Sequence, residues 1–124
     1  MQTIFLISLG AIVGANLRYF VAQYAGKLIP SGFPYGTLVI NISGSLILGF
    51  FMVWATERVL VDPRWRLLIA VGFCGGYTTY SSFVYETFAL FEQGRFLASS
   101  LNILATNVFC LAGAAAGAAL ARFV

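Results

Sequence analysis

Charged residues divide this chain into apolar runs of membrane-spanning length. Met1 to Leu17 and Tyr19 to Gly26 are separated only by Arg18, and further charge-free runs cover Leu28 to Thr56, Leu67 to Tyr85 and Phe96 to Ala121. A spanning helix needs about 20 mostly apolar residues. The pattern therefore predicts an all-α membrane protein with four helices: helix 1 near Thr3 to Tyr24, helix 2 near Gly36 to Thr56, helix 3 near Trp65 to Phe91 and helix 4 near Leu97 to Arg122. Pro30-Ser-Gly-Phe-Pro34 is a turn signal ahead of helix 2, and Asp62-Pro63 starts helix 3 in the same way. The first run lacks a basic start and continues through Arg18 to a full span, so it reads as a helix and not as a removable signal. The four spans leave no residues for a soluble domain, so residues 1–124 read as one integral membrane domain.

Helix 3 carries the least helix-like stretch. Gly72-Phe-Cys-Gly-Gly-Tyr-Thr-Thr-Tyr-Ser-Ser-Phe-Val-Tyr-Glu86 sets a glycine pair and a row of hydroxyls between apolar flanks. A lipid-embedded helix satisfies its backbone internally, so this reads as a helix broken around Gly75 to Thr79, which is tolerated only against protein or a water-filled cavity. Carbonyls freed at that depth are natural cation ligands. A kinked helix packed closely on its neighbours is the plainer alternative.

Other intramembrane polar residues form stripes. Thr37, Asn41 and Ser45 recur every four residues along helix 2, as Asn102, Thr106 and Cys110 do along helix 4, so each set shares a helix face. Such groups are costly in lipid and point to function, although interhelical hydrogen bonds worth roughly 0.6 kcal/mol each would also explain them. Tyr80 and Phe83 share a face of helix 3. Arg18 stands alone in helix 1, either snorkelling to an interface or presenting positive charge to an aqueous vestibule. Gly10 with Gly14, and Gly113 with Gly117, are small-residue pairs that permit close helix approach.

Composition narrows the function. The chain is 60% hydrophobic and 9% charged, with mean hydropathy +0.92, whereas soluble domains carry about 25% charged residues. The net charge of +3 comes from scattered basic residues, so no nucleic-acid surface is implied. With both termini on one side, that side collects Arg58, Arg64, Arg66 and Arg122 against Lys27 and Arg95, a small bias that permits insertion both ways. There is no histidine, and Cys74 and Cys110 fall inside spans without CxxC spacing, which argues against zinc and histidine-based triads. Both thiols read as small buried hydrophobes. No carboxylate pair has the context of a catalytic dyad, so the chain does not read as an enzyme.

Several of these residues also carry a resemblance. Gly10-x-x-x-Gly14-Ala15-x-x-Arg18-Tyr19, Gly36-Thr37-Leu38-x-x-Asn41-x-x-Gly44, Gly72-Phe73-Cys74-Gly75-Gly76 and Thr78-Thr79-Tyr80-Ser81-Ser82-Phe83-x-x-Glu86 are similar, in order and over nearly the whole chain, to the signatures of the Fluc/CrcB family of fluoride channels. The resemblance implies a homodimer of four-helix subunits inserted antiparallel in a bacterial plasma membrane, with two fluoride pores and a structural sodium ion at the dimer centre. It assigns the sodium to the backbone carbonyls of Gly75 and Thr78, and the fluoride pore to Asn41, Tyr80, Ser81, Phe83 and Thr106, with Arg18, Thr37 and Glu86 in supporting roles. Tyr80 departs from the phenylalanine usual in the family. On helix 4 the family's hydroxyl ladder maps to Thr106, Cys110 and Ala114, of which only Thr106 keeps a hydroxyl, leaving one pore end to water or to Asn102. The implied activity is passive export of fluoride from the cytoplasm. Two rivals remain. A small four-helix proton-coupled multidrug exporter needs a carboxylate in helix 1, where this chain has Arg18. A non-transporting assembly subunit leaves the helix 3 break unexplained.

Overall fold

The computed structural model describes residues 1–58 and 61–124; the side chain of Arg58, one of the charges counted above, lies outside that description. Four helices long and apolar enough to cross a membrane make up the described residues: α1 (Gln2–Leu28), α2 (Tyr35–Val53, prolonged by a π-helical turn Trp54–Arg58), α3 (Pro63–Glu92) and α4 (Phe96–Phe123). Helix α1 runs on through Leu28, past the end expected near Tyr24. No residue before Pro30 breaks it, and proline disfavours helical geometry in the residue ahead of it; Ile29 accordingly leaves the helix at φ −130°, ψ 79°.

Helix α3 is composite. Asp62 caps its start by accepting the Arg64 N–H at 2.8 Å, with Pro63 in the first turn, where its missing N–H costs nothing. A π-helical stretch Arg66–Cys74 follows, then one α-turn Gly75–Tyr77. Thr78 (φ −79°, ψ 161°) and Thr79 (φ −153°, ψ 118°) are extended, and an α-helical second arm resumes at Tyr80–Glu92. The second arm ends in a left-handed Gly94 at φ 71°. The Gly94 N–H donates to the Phe91 carbonyl and the Arg95 N–H to the Leu90 carbonyl, each at 3.0 Å, the paired bonds of a Schellman cap. At the same end of the protein, Arg95 Nη1 donates to the Gly32 carbonyl at 2.9 Å, while at the other end Arg122 makes a two-bond ion pair with Glu57, both contacts at 3.1 Å.

Two parallel, close-packed helix pairs organise the fold. Helix α1 lies on the first arm of α3 through glycine faces. A β-carbon added at Gly72 would come within 2.7 Å of the Ile7 carbonyl oxygen and one at Gly76 within 2.8 Å of Ala11, while Gly10 and Gly14 sit directly against the Leu68 and Phe73 carbonyls. Helix α2 lies on α4 the same way, with Gly49 against Ala114 and Gly113 and Gly117 against Ile42 and Leu46. Both small-residue pairs read from the sequence thus mark real contacts. In lipid there is no hydrophobic drive between helices, so close backbone approach supplies the attraction. Little is enclosed: among the described residues, Ile40, Asn102 and Cys74 are the largest fully buried side chains.

Gly117→Val should therefore force α2 and α4 apart, lowering stability by about 1–3 kcal/mol as overpacking does. Gly26→Ala, which would meet nothing within 4 Å, should be neutral; thermal unfolding of both variants in detergent checks the contrast.

Candidate functional site

The polar stripe of α2 faces the interruption in α3. Asn41, only 8% exposed, grips Thr79 with both ends of its amide. Its Nδ2 donates to the Thr79 carbonyl at 3.0 Å and its Oδ1 accepts the Thr79 N–H at 2.9 Å. One turn away, Thr37 Oγ1 donates to Glu86 Oε1 at 2.7 Å, and Ser43 pairs with the Tyr77 hydroxyl at 2.9 Å. From α1, Arg18 Nη1 donates to the Thr78 carbonyl at 3.2 Å. Arg18 therefore binds the backbone of the interruption instead of reaching an interface. Thr79 Oγ1 accepts the Ser82 N–H at 3.2 Å and caps the second arm.

Beside this interruption lies a cavity of about 380 Å³ lined by Asn41, Ser45, Thr78, Thr79, Tyr80, Phe83, Thr106, Asn107, Cys110, Leu111 and Ala114. A second cavity, of about 430 Å³, continues along the second arm and α4, and shares Tyr80, Phe83 and Asn107 with the first. The two aromatic rings thus stand between the cavities, their centroids 5.6 Å apart and tilted by 50°. Phe83 is held in the protein at 6% exposure, whereas Tyr80 projects outward at 77%. Thr106 Oγ1 is buried without a hydrogen-bond partner.

Of the residues singled out in the sequence, Asn41, Thr78, Tyr80, Phe83 and Thr106 meet at the first cavity, together with Cys110 and Ala114. Gly75 is exposed and faces open space. Ser81 is exposed and outside both cavities, its Oγ 3.4 Å from Thr79 Oγ1. Glu86 lines a separate small cavity of about 250 Å³ near Gly32 and Pro34. Two expectations change. Asn102 lines neither cavity: it is fully buried between α3 and α4, donating to Thr87 Oγ1 at 2.8 Å, because Thr87 presents an acceptor across that seam. Cys74 is buried, but Cys110 is half-buried at the cavity wall. Sequence reasoning passed over Asn107, although an amide in the middle of an apolar span is the kind of signal that singled out Asn41.

A family model described as "CrcB-like protein, Camphor Resistance (CrcB)" matches residues 5–118. The chain belongs to the CrcB family. It is 52% identical over 118 residues, covering 95% of this chain and 94% of the relative, to a protein of Koribacter versatilis (strain Ellin345) named "Fluoride-specific ion channel FluC". Proteins of the same name from Sulfurihydrogenibium sp. (strain YO3AOP1), 43% identical over the full length of both chains, and from Geobacter sulfurreducens, 42% identical over 98% of both, are also similar. The CrcB match spans all four helices, so the Asn41–Thr79 and Thr37–Glu86 contacts fall inside the shared region.

The bond from Thr37 to Glu86 ties α2 to the second arm. Thr37→Val should leave that carboxylate oxygen without its donor and cost about 1–3 kcal/mol, read as an earlier thermal unfolding that Thr37→Ser restores.

Proposed function

We propose that this CrcB-family chain is a fluoride channel of the bacterial membrane, not an enzyme, conducting fluoride passively out of the cytoplasm. The observation that carries the reading is the gathering of Asn41, Thr106, Tyr80 and Phe83 around one cavity beside the start of the second arm. The relatives' name supports the anion. Fluoride holds its hydration shell tightly, so a channel must offer donors strong enough for entry and weak enough for exit. Asn41 has a second amide hydrogen beyond the one given to Thr79. Ring edges are electropositive, and the second arm directs the positive end of its dipole at the interruption. These neutral donors favour an anion without trapping it. The multidrug-exporter reading has no support: α1 carries Arg18, bonded to Thr78, and no carboxylate.

The active unit is an antiparallel homodimer. Asn16, Gly75, Tyr80, Ser81 and Asn107 are exposed within the spans, and polar groups at that depth are costly in lipid. A second copy would cover them, and the small basic-residue bias allows that copy to insert inverted. Sodium would sit on the backbone carbonyls of Gly75 and Thr78. The donor chemistry fits: carbonyl oxygens suit a small hard cation, Gly75 has lost the N–H that a continuous helix would give it, and Thr78 keeps one lone pair beyond that taken by Arg18. When bound, the ion would raise local positive potential and join two subunits.

Efflux from liposomes tests the channel reading, with fluoride released at least about tenfold faster than chloride, equivalent to about 1.4 kcal/mol of barrier. Equal rates would discard selectivity. Within the same assay Phe83→Ala should stop conduction, whereas Tyr80→Phe should conduct, because it keeps the electropositive ring edge. A dead Tyr80→Phe would make the hydroxyl essential. For the cation, replacing sodium by a large organic cation, with dialysis long enough to empty a buried site, should lower the melting temperature and the fluoride flux, and potassium should restore neither fully.

A further inference from the structure

We propose that Asn41 is the positioning residue that builds this cation site, in addition to any contact it makes with fluoride. The inference rests on the reading of Gly75 and Thr78 as cation ligands and explains how one of them becomes available.

In a continuous α-helix the N–H of residue 79 donates to the carbonyl of residue 75. Here the helix is intact as far as Thr78, whose N–H donates to the Cys74 carbonyl at 3.0 Å while its hydroxyl donates to the same oxygen at 2.8 Å. The next N–H, that of Thr79, is the one diverted, to Asn41 Oδ1 at 2.9 Å. Asn41 Nδ2 then donates to the Thr79 carbonyl at 3.0 Å. The side-chain amide thus makes with one peptide unit the two-bond pairing that a neighbouring extended strand would make, and Thr79 holds the extended dihedrals that pairing needs. Asn41 therefore satisfies the strand-like residue and, by taking its N–H, leaves the Gly75 carbonyl to another partner. Gly75 is exposed, so a partner can reach it from outside the protomer.

Helix α2 is shaped to deliver the amide. Ile40 beside it is 1% exposed and anchors this turn. Gly44, one turn on, leaves room for Thr78, whose Cγ2 a β-carbon there would strike. Without the amide, the Thr79 N–H has the Gly75 carbonyl as its natural acceptor, and the helix would close over the ligand. Anion pathway and cation site then share one side chain: α2 sets both.

The test is a sodium titration of melting temperature on the purified full-length protein, with the large organic cation keeping ionic strength constant, alongside fluoride efflux. Asn41→Ala should move the sodium midpoint at least about tenfold weaker and abolish flux. Asn41→Asp keeps the shape and, as the neutral acid, both accepts the Thr79 N–H and donates to the Thr79 carbonyl, so its midpoint should equal that of the unaltered protein, while flux is lost because no second hydrogen remains for fluoride. An unchanged midpoint in Asn41→Ala would overturn the inference, and so would a weaker one in Asn41→Asp, which keeps the question decidable if the alanine variant does not fold. Absence of any sodium response in the unaltered protein would overturn the cation reading and this inference with it, whereas a normal response with an unaffected Asn41→Ala would overturn this inference alone.

Discussion

A chain inside a bilayer can leave the helical state only where something replaces the hydrogen bonds the helix gives up. In this protein the replacement is the Asn41 amide, bonded at both ends to Thr79. The candidate site is arranged around that one exchange. Thr78 and Thr79 can be extended because α2 supplies an acceptor and a donor, Arg18 reaches the Thr78 carbonyl from α1, and Thr79 in turn caps the second arm. Two helices, α1 and α2, thus converge on a short stretch of α3, and the cavity forms beside it.

That convergence demands close helix approach, which the glycine faces provide. Gly10, Gly14, Gly72 and Gly76 bring α1 against the first arm of α3, close enough for Arg18 to meet Thr78. Gly49, Gly113 and Gly117 bring α2 against α4, which places Asn41 and Thr106 on the same cavity. A chain with so few buried large side chains gains little from a core. Its specificity comes from backbone contact and from a small set of interhelical hydrogen bonds, including Thr37 to Glu86 and Asn102 to Thr87.

The two polar stripes divide their labour differently from what spacing alone implied. On α2, Thr37 and Asn41 both hold α3 in place. On α4, Asn102 is consumed by a structural bond to Thr87, while Thr106 and Cys110, further along the same face, line the cavity. The spacing was equal in each case; the partners opposite were not. Asn107 lies off the stripe yet lines both cavities, because the second arm brings Tyr80 and Phe83 over that side of α4.

By itself the sequence determined the class and the number of spans, since apolar run length and charge placement depend only on the chain and the thickness of the bilayer. It also marked the close-packed faces through Gly10, Gly14, Gly113 and Gly117, and the unusual segment of α3 through its glycines and hydroxyls. Motif order carried the family. Tertiary structure alone decided who meets whom: that Asn41 binds the backbone of Thr79, that Arg18 turns inward to Thr78, that Asn102 is spent on Thr87, and that Tyr80 faces out while Phe83 faces in. Helical periodicity fixes the face on which a side chain lies, but a hydrogen bond needs a partner at the right depth and rotation on another helix. Those two quantities come from how the glycine faces seat one helix on the next.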